Sequence, residues 1–136
     1  MLLKDALVLL ASRREHSIFE LKEKLKKHSD SVEDIASVIN WACDQGLVDE
    51  ERFVESRVMY RWYRGYGPLK VMSELRMHQI KNELITACMN DYDWQASLSK
   101  SQLKCRHDVG TEAWKRVMLS RGFRYDDVLL WLKNNT

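Results

Sequence analysis

Arg57, Arg61 and Arg64 recur at i, i+4 and i+7, a spacing that sets three guanidinium groups on one face of a helix. No Asp or Glu occurs between Ser56 and Ser73, and Lys70 adds a further positive charge to that stretch. Like charges on one face repel, so a partner that supplies negative charge would relieve the helix. The arginine fork suits either phosphate or carboxylate in two-point geometry. Tyr60, Trp62, Tyr63 and Tyr66 are interleaved with these cations, and unpaired bases can stack on exposed tyrosines. The competing reading is that the arginines meet acids from another helix of the same chain, such as Glu74 or Glu83. Trp62, Trp94, Trp114 and Trp131 read as core, as large aromatics usually do. Tyr66, between Gly65 and Gly67, reads as exposed or as the cover of a hinge.

The other reactive residue types do not assemble into an active site. His16, His28, His78 and His107 are scattered, with no H-E-x-x-H and no Cys/His cluster at metal spacing. Cys43, Cys88 and Cys105 are odd in number and far apart, so they read as reduced thiols. Glu50-Glu51 and Asp126-Asp127 are most simply first-turn acids of helices. Gly65 and Gly67 read as helix punctuation, since the Lys-Ser/Thr ending of a phosphate loop is missing. No serine sits in a nucleophile elbow. The expectation is no catalytic residue, no cofactor and no metal.

The elements that must position the basic stretch are helical. With five glycines and one proline in 136 residues, and no alternating β-branched runs, the chain reads as all-α. An apolar fraction of 45% with 31% charged residues is that of a globular protein. No apolar run approaches the roughly 20 residues of a membrane span. The early acid in Met1-Leu2-Leu3-Lys4-Asp5 is unlike a signal peptide, and a cytoplasmic location is expected. Leu3, Leu7 and Leu10 mark a first helix. Ser17-x-x-Glu20 is a capping box before Ile18, Leu21 and Leu25. Ser31 caps a third helix with Ile35, Val38, Ile39 and Ala42, stopped by Gly46. Asp49-Glu50-Glu51 opens a fourth that runs to Arg64 and ends at Gly65. Pro68 fits the first turn of a fifth, with Val71 and Leu75. Leu84, Cys88 and Tyr92 mark a sixth, and Asp93 starts a seventh around Trp94 and Leu98. Trp114, Val117 and Met118 mark an eighth, and Val128, Trp131 and Leu132 a ninth.

A repeat is visible in these stripes. Leu21-x-x-x-Leu25 followed by Ile35 resembles Val71-x-x-x-Leu75 followed by Leu84, and Lys115-x-x-x-Leu119 followed by Val128. The expected plan is three tandem three-helix modules, residues 1–48, 49–92 and 93–136. Stacked modules of this kind form an elongated, curved molecule with a long concave face.

Four motifs in register carry a resemblance across essentially the whole chain. They are Ser12-Arg13-Arg14-Glu15-His16-Ser17 with Glu20-Leu21; Leu47-Val48-Asp49-Glu50-Glu51-Arg52-Phe53; Arg64-Gly65-Tyr66-Gly67-Pro68; and Ser120-Arg121-Gly122-Phe123. Together with Asp93-Trp94, Ala96 and Leu98 they resemble the RecX family. The resemblance implies a non-enzymatic regulator of DNA repair and recombination that binds the RecA recombinase and its DNA filament and inhibits it. It also implies contact with single- and double-stranded DNA; many family members are more basic than this chain, so DNA binding on its own is expected to be weak, and a monomer is expected. One departure stands out: family members commonly carry a Lys-Gly pair before the isoleucine of the second module, where this chain has Met77-His78-Gln79-Ile80.

The candidate partner or nucleic-acid contacts are Arg57, Arg61, Arg64, Tyr66, Lys70, Arg76, Arg121 and Arg124. An alternative is direct DNA binding, with the Ser17–Gly46 hairpin acting as a helix-turn-helix. Glu33, Asp34 and Asp44 in its second helix would oppose phosphates and argue against groove reading.

Overall fold

Short polar side chains set just ahead of apolar stripes start several of the helices. In the computed structural model, which describes all 136 residues, the chain forms nine helices and no strand. They are α1 (Leu3–Arg13), α2 (Ile18–Leu25), α3 (Val32–Asp44), α4 (Glu50–Tyr63), α5 (Pro68–Met77), α6 (Asn82–Met89), α7 (Trp94–Leu103), α8 (Glu112–Ser120) and α9 (Tyr125–Asn135). The Ser17 hydroxyl accepts from the Glu20 amide while Glu20 accepts from the Ser17 amide, completing the capping box at α2. Ser31, Asp49, Asp93 and Thr111 cap α3, α4, α7 and α8. Pro68 begins α5, where its missing N–H costs nothing. No helix is long and apolar enough to cross a membrane.

Three apolar cores follow one another along the chain, each built by three successive helices. The second and third copies of the repeat run one residue out of the register expected from the sequence. In α6 the buried residues are Ile85 and Met89, whereas Leu84 and Cys88 lie at the margin and Tyr92 beyond the helix end. In α8 the buried pair is Trp114 and Met118, and Leu119 is exposed. The corrected repeat is Leu21/Leu25/Ile35, Val71/Leu75/Ile85 and Trp114/Met118/Val128, with the same spacings in every copy. All nine of these residues are buried. Each core also has one half-buried cysteine against it: Cys43, Cys88 and Cys105.

The second and third hairpins turn through the same cap. Ile80 N–H donates to Leu75 O, and Phe123 N–H to Met118 O, each closing the last turn of a helix. The residue before the donor must then be left-handed. It is Gly122 in one (φ 97°) and Gln79 in the other (φ 59°). A left-handed glutamine costs about 1 kcal/mol that a glycine does not, which gives physical meaning to the missing Lys-Gly pair.

The cores meet at two joints of different construction. Between the first and second, the contacts are between side chains or from a side chain to the backbone. Ser17 Oγ hydrogen-bonds His78 Nδ1 (2.7 Å) while also accepting from the Glu20 amide. Arg52 pairs with Glu15 (3.1 Å) and donates to Gly46 O (2.9 Å). Between the second and third, backbone meets backbone. Gly67 N–H donates to Arg121 O (2.8 Å) and Leu69 N–H to Gly122 O (2.9 Å). A Cβ on Gly67 would lie 2.3 Å from the Gly122 carbonyl carbon, and one on Gly122 would lie 2.5 Å from Lys70 Cβ. These glycines therefore do more than punctuate helices: they let two loops touch.

Candidate nucleic-acid and partner interface

Basic residues on α4 divide by the direction they take from the helix. Arg57 and Arg61 fall on the side of Phe53, Val54 and Val58, and so reach across the core margin to α5. There both bond Glu74: Arg57 through Nη1, and Arg61 through Nε (2.9 Å) and Nη2 (3.3 Å). Burial raises the Glu74 carboxyl, but the hydrogen bonds from Arg61 and Arg57 outweigh it and hold the group below the usual carboxylate range. The competing sequence reading thus describes these two arginines, with Glu74 as their acid. Their first task is internal, although two cations on one carboxylate leave a positive charge in excess.

Arg64 points outward and has no acidic partner; its guanidinium lies over the Tyr60 ring at 5.5 Å. Tyr66 is half-buried, with Arg61 (5.4 Å) and Lys70 (4.8 Å) over its ring. Cations and rings alternate in the order Arg64, Tyr60, Arg61, Tyr66, Lys70. From α7, Lys100 Nζ sits 4.3 Å from the rings of both Trp62 and Tyr63. Lys104 Nζ donates to Arg64 O (3.1 Å). Trp62 is half-buried, its Nε1 donating to Asp93 O (2.8 Å).

Three expected contacts lie beyond this ladder. Arg121 is half-buried in the second joint, where Nη1 donates to Ser101 O (2.6 Å) and Ser101 Oγ (2.8 Å). It ties α7 to the α8–α9 loop through Nη1. Arg124 is exposed at the start of α9, beside Met72. Arg76 is exposed at the end of α5, near Asn82 (3.4 Å).

Lys100 and Lys104 are the residues that sequence reasoning missed. A signal existed: Trp94 to His107 is a second stretch without Asp or Glu, and it carries Lys100, Lys104 and Arg106. Ser97 was missed as well; it is buried, and its hydroxyl lies 3.0 Å from Trp62 O and 2.7 Å from Tyr66 O, fixing α7 against the end of α4.

Charge at the first joint is arranged differently. His16 is buried, donating from Nδ1 to Arg14 O (2.9 Å) and facing Lys24 Nζ through Nε2 (3.3 Å). Burial lowers the pKa of His16 and of His78. Burial raises the Glu20 carboxyl, but hydrogen bonding and charge from Arg14 overcome this and bring it to about 2. On and just beyond α2, Lys24 pairs with Glu20 (3.8 Å) and Lys26 with Glu23 (2.8 Å).

Comparison with known proteins agrees on one family. A family model described as "RecX, second three-helix domain" matches residues 49–89. The regulatory protein RecX of Halorhodospira halophila (strain DSM 244 / SL1) is 32% identical over 134 residues, covering 92% of this chain and 83% of that one. Its counterpart from Pseudomonas savastanoi pv. phaseolicola is 35% identical over 119 residues, covering 85% and 77%. Among solved structures, RecX from Lactobacillus salivarius superposes with a TM-score of 0.80 at 19% identity, covering 97% of this chain and 93% of that one. A second regulatory protein RecX gives 0.82 at 16% identity, covering 96% and 71%. At those identities the structural likeness speaks to the fold.

Proposed function

From the premise that the chain belongs to the RecX family of regulatory proteins, which are not enzymes, we propose that it binds the filament of the RecA recombinase on DNA and inhibits it in the cytoplasm. The observation that carries this reading is the ladder of cations and rings across the second joint. Arg64, Lys70, Lys100 and Lys104 have no carboxylate partner, and Tyr60 and Tyr63 are exposed among them. Such a surface suits the phosphates and bases of a strand held within a filament. Arg124 extends it on the third core, and Arg76 lies further along α5. Arg57, Arg61 and Arg121 support the surface from behind.

Inhibition then follows from geometry. Modules 1–48, 49–92 and 93–136 would engage successive recombinase protomers, so each contact raises the effective concentration of the next. An insert that spans protomers, with its second and third cores joined stiffly, blocks the rearrangements that couple ATP turnover to strand exchange, and it covers the filament surface used in coprotease activity. A monomer suffices for this, and DNA binding without the recombinase is weak.

The test is the recombinase's ATPase on single-stranded DNA. Arg64→Glu/Lys100→Glu/Lys104→Glu is expected to raise the concentration needed for half-inhibition at least tenfold, since three phosphate contacts reverse sign. Inhibition equal to the parent's would remove the ladder from the account. A salt titration on naked DNA addresses direct DNA binding: tight, steeply salt-dependent binding without recombinase would favour that reading.

A further inference from the structure

An open groove lies away from the cationic ladder, between α4 and α6. It measures about 830 Å³ and has an apolar floor of Met59, Leu84, Ala87, Cys88 and Tyr92. Met59 is 57% exposed, a large apolar side chain left open on a helix that buries Phe53, Val54 and Val58 elsewhere. Along the rim stand Glu51, Glu55 and Asp91, all exposed and none in an ion pair. Arg52, paired with Glu15 of the first core, and Ser56 complete the lining. Glu51, Glu55 and Met59 share one face of α4 by their i, i+4, i+8 spacing, nearly opposite Arg57, Arg61 and Arg64.

We propose that this groove docks a short amphipathic helix of a protein partner, with its apolar stripe on the floor and its Lys or Arg residues on the rim. The occupant is identified by complementarity. An apolar floor between two helices accepts the apolar face of a third, read as anchors at i, i+3 and i+4. Three unpaired carboxylates at its edge select cations and reject nucleic acid. The local field is felt on the floor itself. Burial pushes the Cys88 thiol and the Tyr92 hydroxyl up, and the charges of Glu55 and Asp91 push both further in the same direction. On a chain of net charge +2, this groove is an anionic island. From Glu51 to Met59 the rim runs about 12 Å at 1.5 Å per residue, a little over two helical turns, so the docked segment is short. The inference stands apart from the recombinase reading, because it concerns the opposite side of α4.

The probe is an 18-residue peptide of leucine and lysine in helical register, fluorescently labelled, with a serine–lysine peptide of equal charge as control. Anisotropy is expected to show the first binding the parent at least tenfold more tightly than the second. Glu55→Lys/Asp91→Lys should weaken the leucine–lysine peptide at least tenfold, with an unchanged circular dichroism melt. Met59→Ser, which removes apolar surface without changing the charge, should also weaken it. Arg64→Glu/Lys100→Glu/Lys104→Glu should not weaken it, and bound peptide should shield Cys88 from alkylation. Equal binding of the two peptides, parental affinity in the rim variant, or an unshielded Cys88 would overturn the proposal. So would concentration-dependent self-association of the parent that the rim variant abolishes, since a second copy would then be the occupant.

Discussion

The two joints of this molecule solve the same problem by opposite means. At the second, loops meet through backbone hydrogen bonds at Gly67 and Gly122, and α7 is fixed to the end of α4 by Ser97. At the first, Ser17–His78 and the contacts of Arg52 do the joining. Backbone contacts at van der Waals distance have few alternative arrangements, whereas side-chain contacts can be exchanged for water. The second and third cores are therefore expected to move as one body, with flexing concentrated between the first core and the rest. The cationic ladder crosses the stiff joint, so its geometry is maintained without a ligand.

Mutations at the two joints should separate these behaviours. The largest effect is expected from Gly67→Val. Gly67 has an ordinary φ of −92°, so any cost comes from the contact alone. Overpacking there should destabilise by about 3 kcal/mol in chemical denaturation; a loss below about 0.5 kcal/mol would mean that the loops separate easily. At the first joint, Ser17→Ala removes both the cap of α2 and the bond to His78. A loss of about 1–2 kcal/mol is expected, with amide exchange accelerating in α2 but not in α8. Uniform acceleration would contradict independent joints. Gln79→Gly, beside His78, should stabilise by about 0.5–1 kcal/mol by relieving the left-handed glutamine, and an unchanged midpoint would show that the cap is unstrained.

The smallest effect is expected from pH. His16 and His78 have lowered pKa values in the folded protein, so the unfolded chain binds protons first. Their contribution is complete above the unfolded value of about 6.5 and is lost as pH falls from there through the folded values. Glu20, at about 2, contributes above the ordinary carboxylate range and does not change between pH 7 and 5.5. Denaturation midpoints should therefore fall over that interval, less so in His78→Gln. An equal fall in the variant would place the effect outside the joint.

How much of this was legible in the sequence depended on range. Caps at Ser17, Ser31, Asp49 and Asp93 are local, since each side chain bonds amides two or three residues away. The repeat was legible in its first copy and slipped by one in the others. Leu84 and Ile85 are adjacent apolar residues, as are Met118 and Leu119, and only the neighbouring helices decide which is buried. Arg57 and Arg61 looked unpaired because Glu74 lies 17 and 13 residues away, on the next helix. Lys100 joins the site through Trp62 and Tyr63, and Gly67 meets Gly122 through the packing of two cores. Neither approach leaves a periodic trace.

The placing of one cysteine against each core has a practical consequence. Cys43, Cys88 and Cys105 are all free, so spin labels on the unaltered chain would sit against three different cores. The interval from Cys43 to Cys88 spans the pliant joint and should give a broad distance distribution. That from Cys88 to Cys105 spans the stiff one and should give a narrow peak. The native thiols thus form a built-in ruler, able to record whether a bound partner straightens the molecule or merely rests on it.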